Sequence, residues 1–374
     1  MNILMLSKDP KIFELESEAR SRMREYAEVL GRLEIIVPVA GNCKEYSSGG
    51  LFLHPVEGGF LISRLKIYKK ALELCRLNKF DVITVQGPDD IGLIGYFIAK
   101  KFKIPLQIQA HTDIMSPFYR RASWKEFIGY KLAKFLIPRA DCIRVVSKRI
   151  KDSLNSKFKI QNSKITVLPI YTDVSKFLEA RVDPAIESRF GNHSFKMISV
   201  GRFVNKEKNF SRLIKIMAEL VKSIPDVLLV LVGDGPDKIN YESRIKNYGL
   251  QKNVLIEPWR NNLPAFYKSF DLFLLASNYE GWGRVVIETM ASGLPVIMTD
   301  VGLAGEVVIN NKNGLIVPVG NKKAFLEAIV ALYKEPAERK RLAENGQETV
   351  KNLEPKTKEK YLALYKKSLE TCCL

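Results

Sequence analysis

The sequence predicts an α/β protein made of two doubly wound, parallel-sheet domains. Its 374 residues are about twice the length of a typical single domain. Short β-branched runs alternate with longer amphipathic stretches along almost the whole chain. The strand series begins again near residue 195, after a polar stretch at 176–194 that has no strand pattern. These observations together favour two sheets of similar architecture.

Most of the predicted strands are continuous apolar runs, which is typical of strands covered on both faces. In the first half of the chain they are 2–7, 33–40, 81–86, 105–111, 142–147 and 164–170. In the second half they are 195–201, 227–233, 253–258, 271–277, 295–300 and 314–319. Amphipathic stretches predict helices between them, including 17–30, 61–78, 210–223 and 322–334.

The polar stretch defines the predicted domain boundary. We assign 1–180 to an N-terminal domain and 181–355 to a C-terminal domain. The last amphipathic segment, 356–370, predicts a helix that returns to pack on the N-terminal domain.

The composition restricts the class of protein. A hydrophobic content of 46% and a charged content of 27% are normal for a globular chain, and no apolar run is long enough to span a bilayer. The five scattered cysteines predict neither a disulfide framework nor a zinc site, so a cytoplasmic location is expected. The net charge of +18 suits an anionic partner, which is a nucleic acid, a membrane surface or a small substrate.

The strongest motif is SNYEGWGRVVIETMASGLPV, residues 277–296, which follows a predicted strand and opens a helix near Arg284. Glu280 and Glu288 flank a glycine-rich turn, and the helix start offers unpaired N–H groups to an anion. Two carboxylates in this arrangement suit two sets of hydroxyl groups. The alternative is structural: Arg284 and Glu288 form an ion pair one turn apart, while Glu280 caps the helix.

A second motif, SVGRFVNKEKNF, places Arg202 after a strand and Lys208 before a helix. Fixed cations of this kind can stabilise a departing diphosphate. The sequence contains no D-x-D pattern to hold a metal ion. The alternative is solvated loop charge, which is our interpretation of Lys206.

These motifs resemble the E-x7-E signature of glycosyltransferase family 4, whose GT-B fold has two Rossmann-like domains facing across a cleft. The resemblance implies that Glu280 contacts the transferred sugar, that Glu288 binds the ribose, and that Arg202 and Lys208 bind the donor diphosphate. It also implies backbone contacts to the sugar and phosphates from the turn residues Gly281, Trp282, Gly283, Arg284 and Val285. Residues 195–320 match this pattern well, and the first domain matches loosely.

In the first domain the resemblance places a histidine near the transferred sugar, and His111 ends the predicted strand at 105–111. The structural alternative is a histidine that packs in the core with its hydrogen bonds satisfied. Asp113, two residues further along, is a second candidate for this site. The stretch 7–27 lacks the glycine-rich loop of many family members and carries Arg20, Arg22 and Arg24. Trp259 either contacts a nucleobase or packs in the interior.

The resemblance implies a retaining glycosyltransferase that needs no metal or other cofactor. It would move a sugar from a nucleotide-diphosphate sugar to a glycan or lipid-linked acceptor, in cell-surface polysaccharide or glycolipid synthesis. A sugar-nucleotide epimerase or phosphorylase of the same fold is the alternative. A basic nucleic-acid-binding protein is a further one, but no motif of a nucleic-acid reader domain is visible, so no nucleic-acid partner is expected.

The segment 119–140 predicts a helix that mixes aromatic, aliphatic and basic residues. Such a helix suits an anionic membrane surface at the inner face of the membrane. Its alternative is an ordinary helix packed on the sheet with a solvated basic rim. The residues expected on its apolar face are Trp124, Phe127, Ile128, Leu132, Phe135 and Leu136.

Overall fold

The computed structural model describes residues 1–190, 193–260 and 262–373. The chain forms two compact units, one from Met1–Pro169 with the segment from Thr357 onward, the other from Ile170–Lys356. The second unit thus begins before the expected boundary at 180, because Phe177 packs 6.1 Å from the ring of Tyr267. The expected linker at 176–194 contains helical residues, and its residues 191 and 192 lie outside the described part.

The first unit contains an eight-stranded sheet in the order β3-β4-β2-β1-β5-β6-β7-β8. All its neighbouring strands are parallel except β3 and β4, which pair antiparallel. The strands are β1 (Asn2–Leu6), β2 (Arg32–Val39), β3 (Tyr46–Ser48), β4 (Leu51–Glu57), β5 (Val82–Val85), β6 (Leu106–Ala110), β7 (Cys142–Val145) and β8 (Ile165–Val167). The helices are α1 (Glu18–Leu30), α2 (Phe60–Leu77), α3 (Asp90–Phe102), α4 (Pro117–Arg120), α5 (Trp124–Leu136), α6 (Lys148–Phe158) and the C-terminal α16 (Lys358–Glu370).

The second unit contains a six-stranded, all-parallel sheet in the order β11-β10-β9-β12-β13-β14. The strands are β9 (Phe195–Val200), β10 (Val227–Val232), β11 (Val254–Glu257), β12 (Leu272–Leu275), β13 (Val296–Thr299) and β14 (Leu315–Val317). The helices are α7 (Ser175–Leu178), α8 (Pro184–Phe190), α9 (Asn205–Lys208), α10 (Phe210–Ser223), α11 (Lys238–Asn247), α12 (Leu263–Tyr267), α13 (Arg284–Ala291), α14 (Lys322–Lys334) and α15 (Pro336–Lys351).

Apolar spacing explains the elements that frame the second core. In α10 the buried residues Leu213, Ile214, Met217 and Leu220 recur every three or four positions and form one face. That face packs with the fully buried strand β10, whose six residues are all apolar. The apolar runs therefore predict both the strands and the helix that covers them, and the doubly wound fold class is confirmed.

Each predicted strand overlaps an observed one, but β3 and β4 were not predicted. Their residues give a weak signal because Tyr46–Ser48 is short and polar. Strand Leu51–Glu57 contains His54 and Pro55, and proline is unusual within a sheet. His54 contacts Glu34 of β2 at 3.0 Å, so its role is structural.

Helix α16 belongs to the first unit and packs on α1. The ring of Tyr365 stacks 3.9 Å from that of Tyr26, and Cys372 beyond the helix forms a disulfide with Cys142 of β7. The expectation that the cysteines form no disulfide is therefore wrong. The partners are 230 residues apart in sequence, so no local spacing reveals them. The correction removes the cysteine argument for a reducing compartment.

Candidate active site

The strand order of the second sheet reverses between its neighbours β9 and β12. In open α/β sheets, ligands bind in the crevice beyond the carboxyl ends of the strands at such a point. Arg202 and Lys208 follow β9, whereas Glu280 follows β12. The topology therefore brings together two motifs whose key residues, Lys208 and Glu280, are 72 positions apart.

Three of the predicted site residues share one charged network. The ammonium of Lys208 lies 2.5 Å from Oε1 of Glu280 and 3.2 Å from Oε1 of Glu207. The other oxygen of Glu207 lies 3.0 Å from the guanidinium of Arg202. Arg202 is well exposed, whereas Lys208 and Glu280 are largely buried. The network thus extends from a buried acid–base pair to a solvent-facing cation.

Sequence reasoning missed Glu207, which links the two predicted cations. The only sequence feature that points to Glu207 is its position as a single acidic residue between Lys206 and Lys208, in a loop that is otherwise basic. The backbone carbonyl of Glu207 also accepts a hydrogen bond of 2.8 Å from the amide of Asn278. Glu207 therefore both orients the cations and fixes the loop that carries Glu280.

The surroundings of Lys208 keep it charged. Burial alone would lower the pKa of Lys208, but the negative charges of Glu280 and Glu207 and their hydrogen bonds raise it above its ordinary value. Ser277 donates a hydrogen bond of 2.8 Å to the same Glu280 oxygen that contacts Lys208. The Glu280 carboxylate is thereby held in one orientation, and the site keeps a fixed ammonium beside it.

The glycine-rich turn leads directly into α13. Gly283 has a φ of 101°, a left-handed conformation that favours glycine, and serves as the N-cap without a side-chain hydrogen bond. Glu280 therefore does not cap the helix, because its carboxylate turns to Lys208. The ion pair between Arg284 and Glu288, which was the other part of the structural alternative, is present, with the two side chains 3.6 Å apart. Trp282 is largely buried in the turn, and Val285 occupies the first turn of α13.

Glu288 lies on the buried side of α13 and is 8% exposed. Burial raises the pKa of the Tyr267 phenol, and the charge of Glu288 raises it further. Glu288 is thus largely shielded from solvent. Trp259, in contrast, is 54% exposed after β11, so it is not an interior packing residue.

In the first unit, His111 follows β6 and its Nε2 lies 2.9 Å from Oε1 of Gln86. An amide oxygen only accepts, so Nε2 carries the proton and Nδ1 is an acceptor. Nδ1 is buried and has no hydrogen-bond partner among the described residues. Burial, together with the nearby charges of Arg144 and Arg22, lowers the pKa of His111 to about 3, so His111 is neutral.

This environment predicts that His111 does not titrate in the ordinary range. Since its pKa is lower in the folded protein, its contribution to stability is fully present above about pH 6.5 and is lost as the pH falls towards the folded pKa. In ¹H–¹⁵N spectra of the imidazole rings, we expect the His111 signals to stay constant between pH 8 and about pH 5. A His111→Gln variant assigns the signals. A midpoint near the ordinary histidine pKa would contradict the burial of this ring.

The glycine-free stretch after β1 forms its own charged contacts. Lys8 lies 2.7 Å from Asp89 and also pairs with Asp90, which in turn lies 2.6 Å from Arg64. Arg20 is buried against the ring of Tyr46, so its role is structural. Lys8 is therefore neutralised by acidic residues of the same unit.

Two family models match successive halves of the chain. The model described as Glycosyltransferase Family 4 matches residues 32–176, and the model described as Glycosyl transferases group 1 matches residues 186–349.

Named relatives act in the synthesis of surface glycans. The lipopolysaccharide core biosynthesis glycosyltransferase LpsE of Rhizobium meliloti is 33% identical over 41% of this chain, which spans 44% of that protein. The capsular polysaccharide biosynthesis glycosyltransferase CapM of Staphylococcus aureus is 26% identical over 92% of this chain and 93% of its own. The UDP-Gal:α-D-GlcNAc-diphosphoundecaprenol α-1,3-galactosyltransferase of Escherichia coli is 26% identical over 72% of this chain and 71% of its own.

The fold resembles that of solved glycosyltransferase structures. HepE of Anabaena, solved in complex with UDP and glucose, superposes with a TM-score of 0.75 over 99% of both chains at 19% identity. Together, the two-unit fold and the family matches define the chain as a glycosyltransferase with the GT-B fold.

Proposed function

We propose that this glycosyltransferase is retaining and metal-independent, and that it moves a sugar from a nucleotide-diphosphate sugar to a glycan or lipid-linked acceptor. The observation that carries the proposal is the network of Arg202, Glu207, Lys208 and Glu280 at the switch point of the second sheet. It combines fixed positive charge for a diphosphate with a carboxylate for sugar hydroxyl groups.

The donor roles follow from the position of each group. Arg202 and Lys208 would bind the diphosphate oxygens, helped by the positive dipole end of α13. Glu280 would accept hydrogen bonds from the transferred sugar, and Glu288 from the ribose diol. The exposed ring of Trp259 would stack on the base.

The proposed reaction is a front-face substitution. A bond forms between the acceptor oxygen and the anomeric carbon, while the bond from that carbon to the phosphate oxygen breaks on the same side. The hydroxyl proton passes to the departing phosphate oxygen, so no separate base is needed. Lys208 and Arg202 would stabilise the negative charge that develops on the diphosphate, in the place of a metal ion.

The names of the relatives support a surface-glycan acceptor. They include capsule and lipopolysaccharide enzymes and a transferase that acts on a diphosphoundecaprenol-linked sugar. The UDP in the solved HepE complex supports a nucleotide donor. These similarities make a lipid-linked glycan the acceptor class that we propose here.

A panel of nucleotide sugars tests the donor class without knowledge of the acceptor. We expect one nucleotide sugar to raise the melting temperature and to release nucleotide slowly by hydrolysis, with the rate unchanged by EDTA. Once an acceptor is found, the anomeric ¹H coupling of the product gives the stereochemistry. A rate that depends on added Mg²⁺ or Mn²⁺, or an inverted product, would contradict the mechanism.

Glu288 provides a prediction on substrate binding. Replacing Glu288 by Gln should raise KM for the donor by roughly tenfold, because a charge-assisted hydrogen bond contributes about 1.5–3 kcal/mol and each 1.4 kcal/mol is tenfold. The kcat should change little, since the ribose lies away from the reacting bond. Steady-state kinetics of nucleotide release measure both constants. A fall in kcat alone would assign Glu288 to the reacting centre instead.

We also propose that the first unit contacts an anionic membrane surface. No helix among the described residues is long and apolar enough to cross a bilayer. However, the first turns of α2 expose a cluster of large apolar side chains, and α5 exposes another. They are Phe60, Leu61, Ile62 and Leu65 on α2, and Trp124, Phe127, Ile128 and Phe135 on α5.

The two clusters lie on helices that both pack against α3, which lies next to each of them. The ring of Tyr96 in α3 lies 5.5 Å from that of the exposed Phe97 and 5.5 Å from that of Phe135 in the α5 cluster. The prediction for 119–140 needs two corrections: the segment is divided between α4 and α5, and Leu136 is buried inside the unit. Lys125, Lys131 and other basic residues rim the surface and would face anionic headgroups.

Sedimentation with vesicles tests this surface. We expect binding to phosphatidylglycerol vesicles, weaker binding to phosphatidylcholine, and loss of binding when Leu61 and Trp124 are both replaced by Glu. Ile239→Glu is the matched control, because Ile239 is 76% exposed in the second unit. Equal loss in the control, or no preference for the anionic lipid, would contradict the proposal.

A further inference from the structure

A second group of basic residues surrounds a cavity of about 400 Å³ in the second unit. The cavity lies beside the first turns of α10, with contributions from the neighbouring helices α11 and α14. The cations that line it are Arg212, Lys215, Arg244 and Lys322. None of them belongs to the donor contacts proposed above, so the cavity is a separate feature of this unit.

The positive charge of this cavity is poorly balanced. Lys322 pairs with Glu219, but Arg212, Lys215 and Arg244 have no carboxylate partner among the described residues. Arg212 donates hydrogen bonds to neutral groups, the carbonyl of Ala276 at 3.3 Å and the side chain of Asn278 at 3.1 Å. Half-buried guanidinium groups without an acid are costly unless an anion joins them.

The cavity also contains an unsatisfied hydroxyl. Ser211 is 6% exposed and lines the cavity, yet its Oγ has no hydrogen-bond partner among the described residues. It is the second residue of α10, a helix of 14 residues whose N-cap, Asn209, makes no side-chain cap. Buried hydroxyl groups are normally hydrogen-bonded, so this one is available to donate to a ligand in the cavity. The helix dipole adds positive potential at the same place.

We propose that this cavity is a second, non-catalytic anion site that binds a phosphate-bearing small molecule. The Ser211 hydroxyl and the guanidinium groups of Arg212 and Arg244 would donate to phosphate oxygens, while Lys215 and Lys322 supply charge. The volume suits a diphosphate or a sugar phosphate rather than a macromolecule.

Its occupant would lie close to the catalytic network. Arg212 contacts both the cavity and Asn278, and the backbone of Asn278 is bonded to Glu207. The site is therefore placed to sense a phosphate metabolite beside the loop that carries Glu280.

Calorimetric titration with inorganic pyrophosphate tests the site in the full chain. We expect two binding sites in the wild-type protein, one for the donor diphosphate and one for the cavity. The Lys215→Gln/Arg244→Gln variant should lose the cavity site, with affinity reduced at least tenfold, and keep the donor site. The Arg202→Gln/Lys208→Met variant should do the reverse. Lys238→Gln/Lys246→Gln is the matched control, because it also removes two positive charges, from the helix α11 that carries Arg244 but outside the cavity lining.

Ser211→Ala separates a ligand contact from a structural role. Since the hydroxyl has no partner within the described parts of the chain, its removal should leave the melting temperature unchanged or raised, while it weakens pyrophosphate binding at the cavity several-fold. Retention of both sites in Lys215→Gln/Arg244→Gln, or equal loss in the control, would overturn the proposal. The proposal would also be overturned if the wild-type protein had a single binding site that is lost in the Arg202→Gln/Lys208→Met variant. That result would still support the assignment of the donor site. Unchanged binding in Arg202→Gln/Lys208→Met would count against the donor assignment alone.

Discussion

Replacing Glu280 by Ala is expected to lower kcat by at least 10²–10³-fold, roughly the loss seen when one preorganised contact to a transition state is removed. The carboxylate is 8% exposed and held by both Lys208 and Ser277, so it is fixed before the donor arrives. Its loss also frees the Lys208 ammonium to move away from the leaving group. Nucleotide release under saturating donor measures the effect.

Ser277→Ala is the matched control for this change. It removes the hydrogen bond that orients the Glu280 carboxylate but leaves the carboxylate and its ion pair with Lys208 in place. We expect a loss smaller by at least tenfold than that of Glu280→Ala. If the Glu280→Ala enzyme folds normally and turns over at the wild-type rate, Glu280 does not act at the reacting centre.

The second large effect is expected for Lys208→Met. This change removes the ammonium proposed to stabilise the diphosphate and leaves Glu280 and Glu207 without it. Breaking one partner of a buried pair costs about 3–5 kcal/mol, so a lower free energy of unfolding should accompany the loss of turnover. Urea denaturation and nucleotide release measure the two effects separately.

The double variant Lys208→Met/Glu280→Gln distinguishes stability from catalysis. Since neither buried charge is left unpaired, we expect the free energy of unfolding to return towards the wild-type value. Turnover should remain absent because both groups act on the donor. If activity recovers together with stability, Lys208 and Glu280 contribute only to the stability of the fold and not to catalysis.

The sheets were predictable because their strands carry the simplest sequence signal. Strand β10 is an unbroken apolar run, and α10 has one apolar face, so local composition dictates both. Strands β3 and β4 escaped prediction because they are polar or contain proline. The disulfide between Cys142 and Cys372 depends on how α16 returns to the first unit, which only tertiary structure reveals.

The candidate site was predictable in part. Residues at the ends of β9 and β12 meet because these strands are neighbours, and the motif spacing identified Arg202, Lys208 and Glu280. The linking role of Glu207 depends on the side-chain directions in one loop, and a single acid among lysines does not reveal them. The contact between His111 and Gln86 likewise joins two loops of separate strands.

The most direct measurement is the affinity of the full chain for the nucleoside diphosphate that the donor panel selects. Our account predicts that Arg202→Gln and Lys208→Met each weaken binding about tenfold or more, because each removes a charge-assisted contact. Arg341→Gln, which removes a surface arginine paired with Glu338, should bind as the wild type does. Equal affinity in all four proteins would mean that the loop after β9 does not hold the donor.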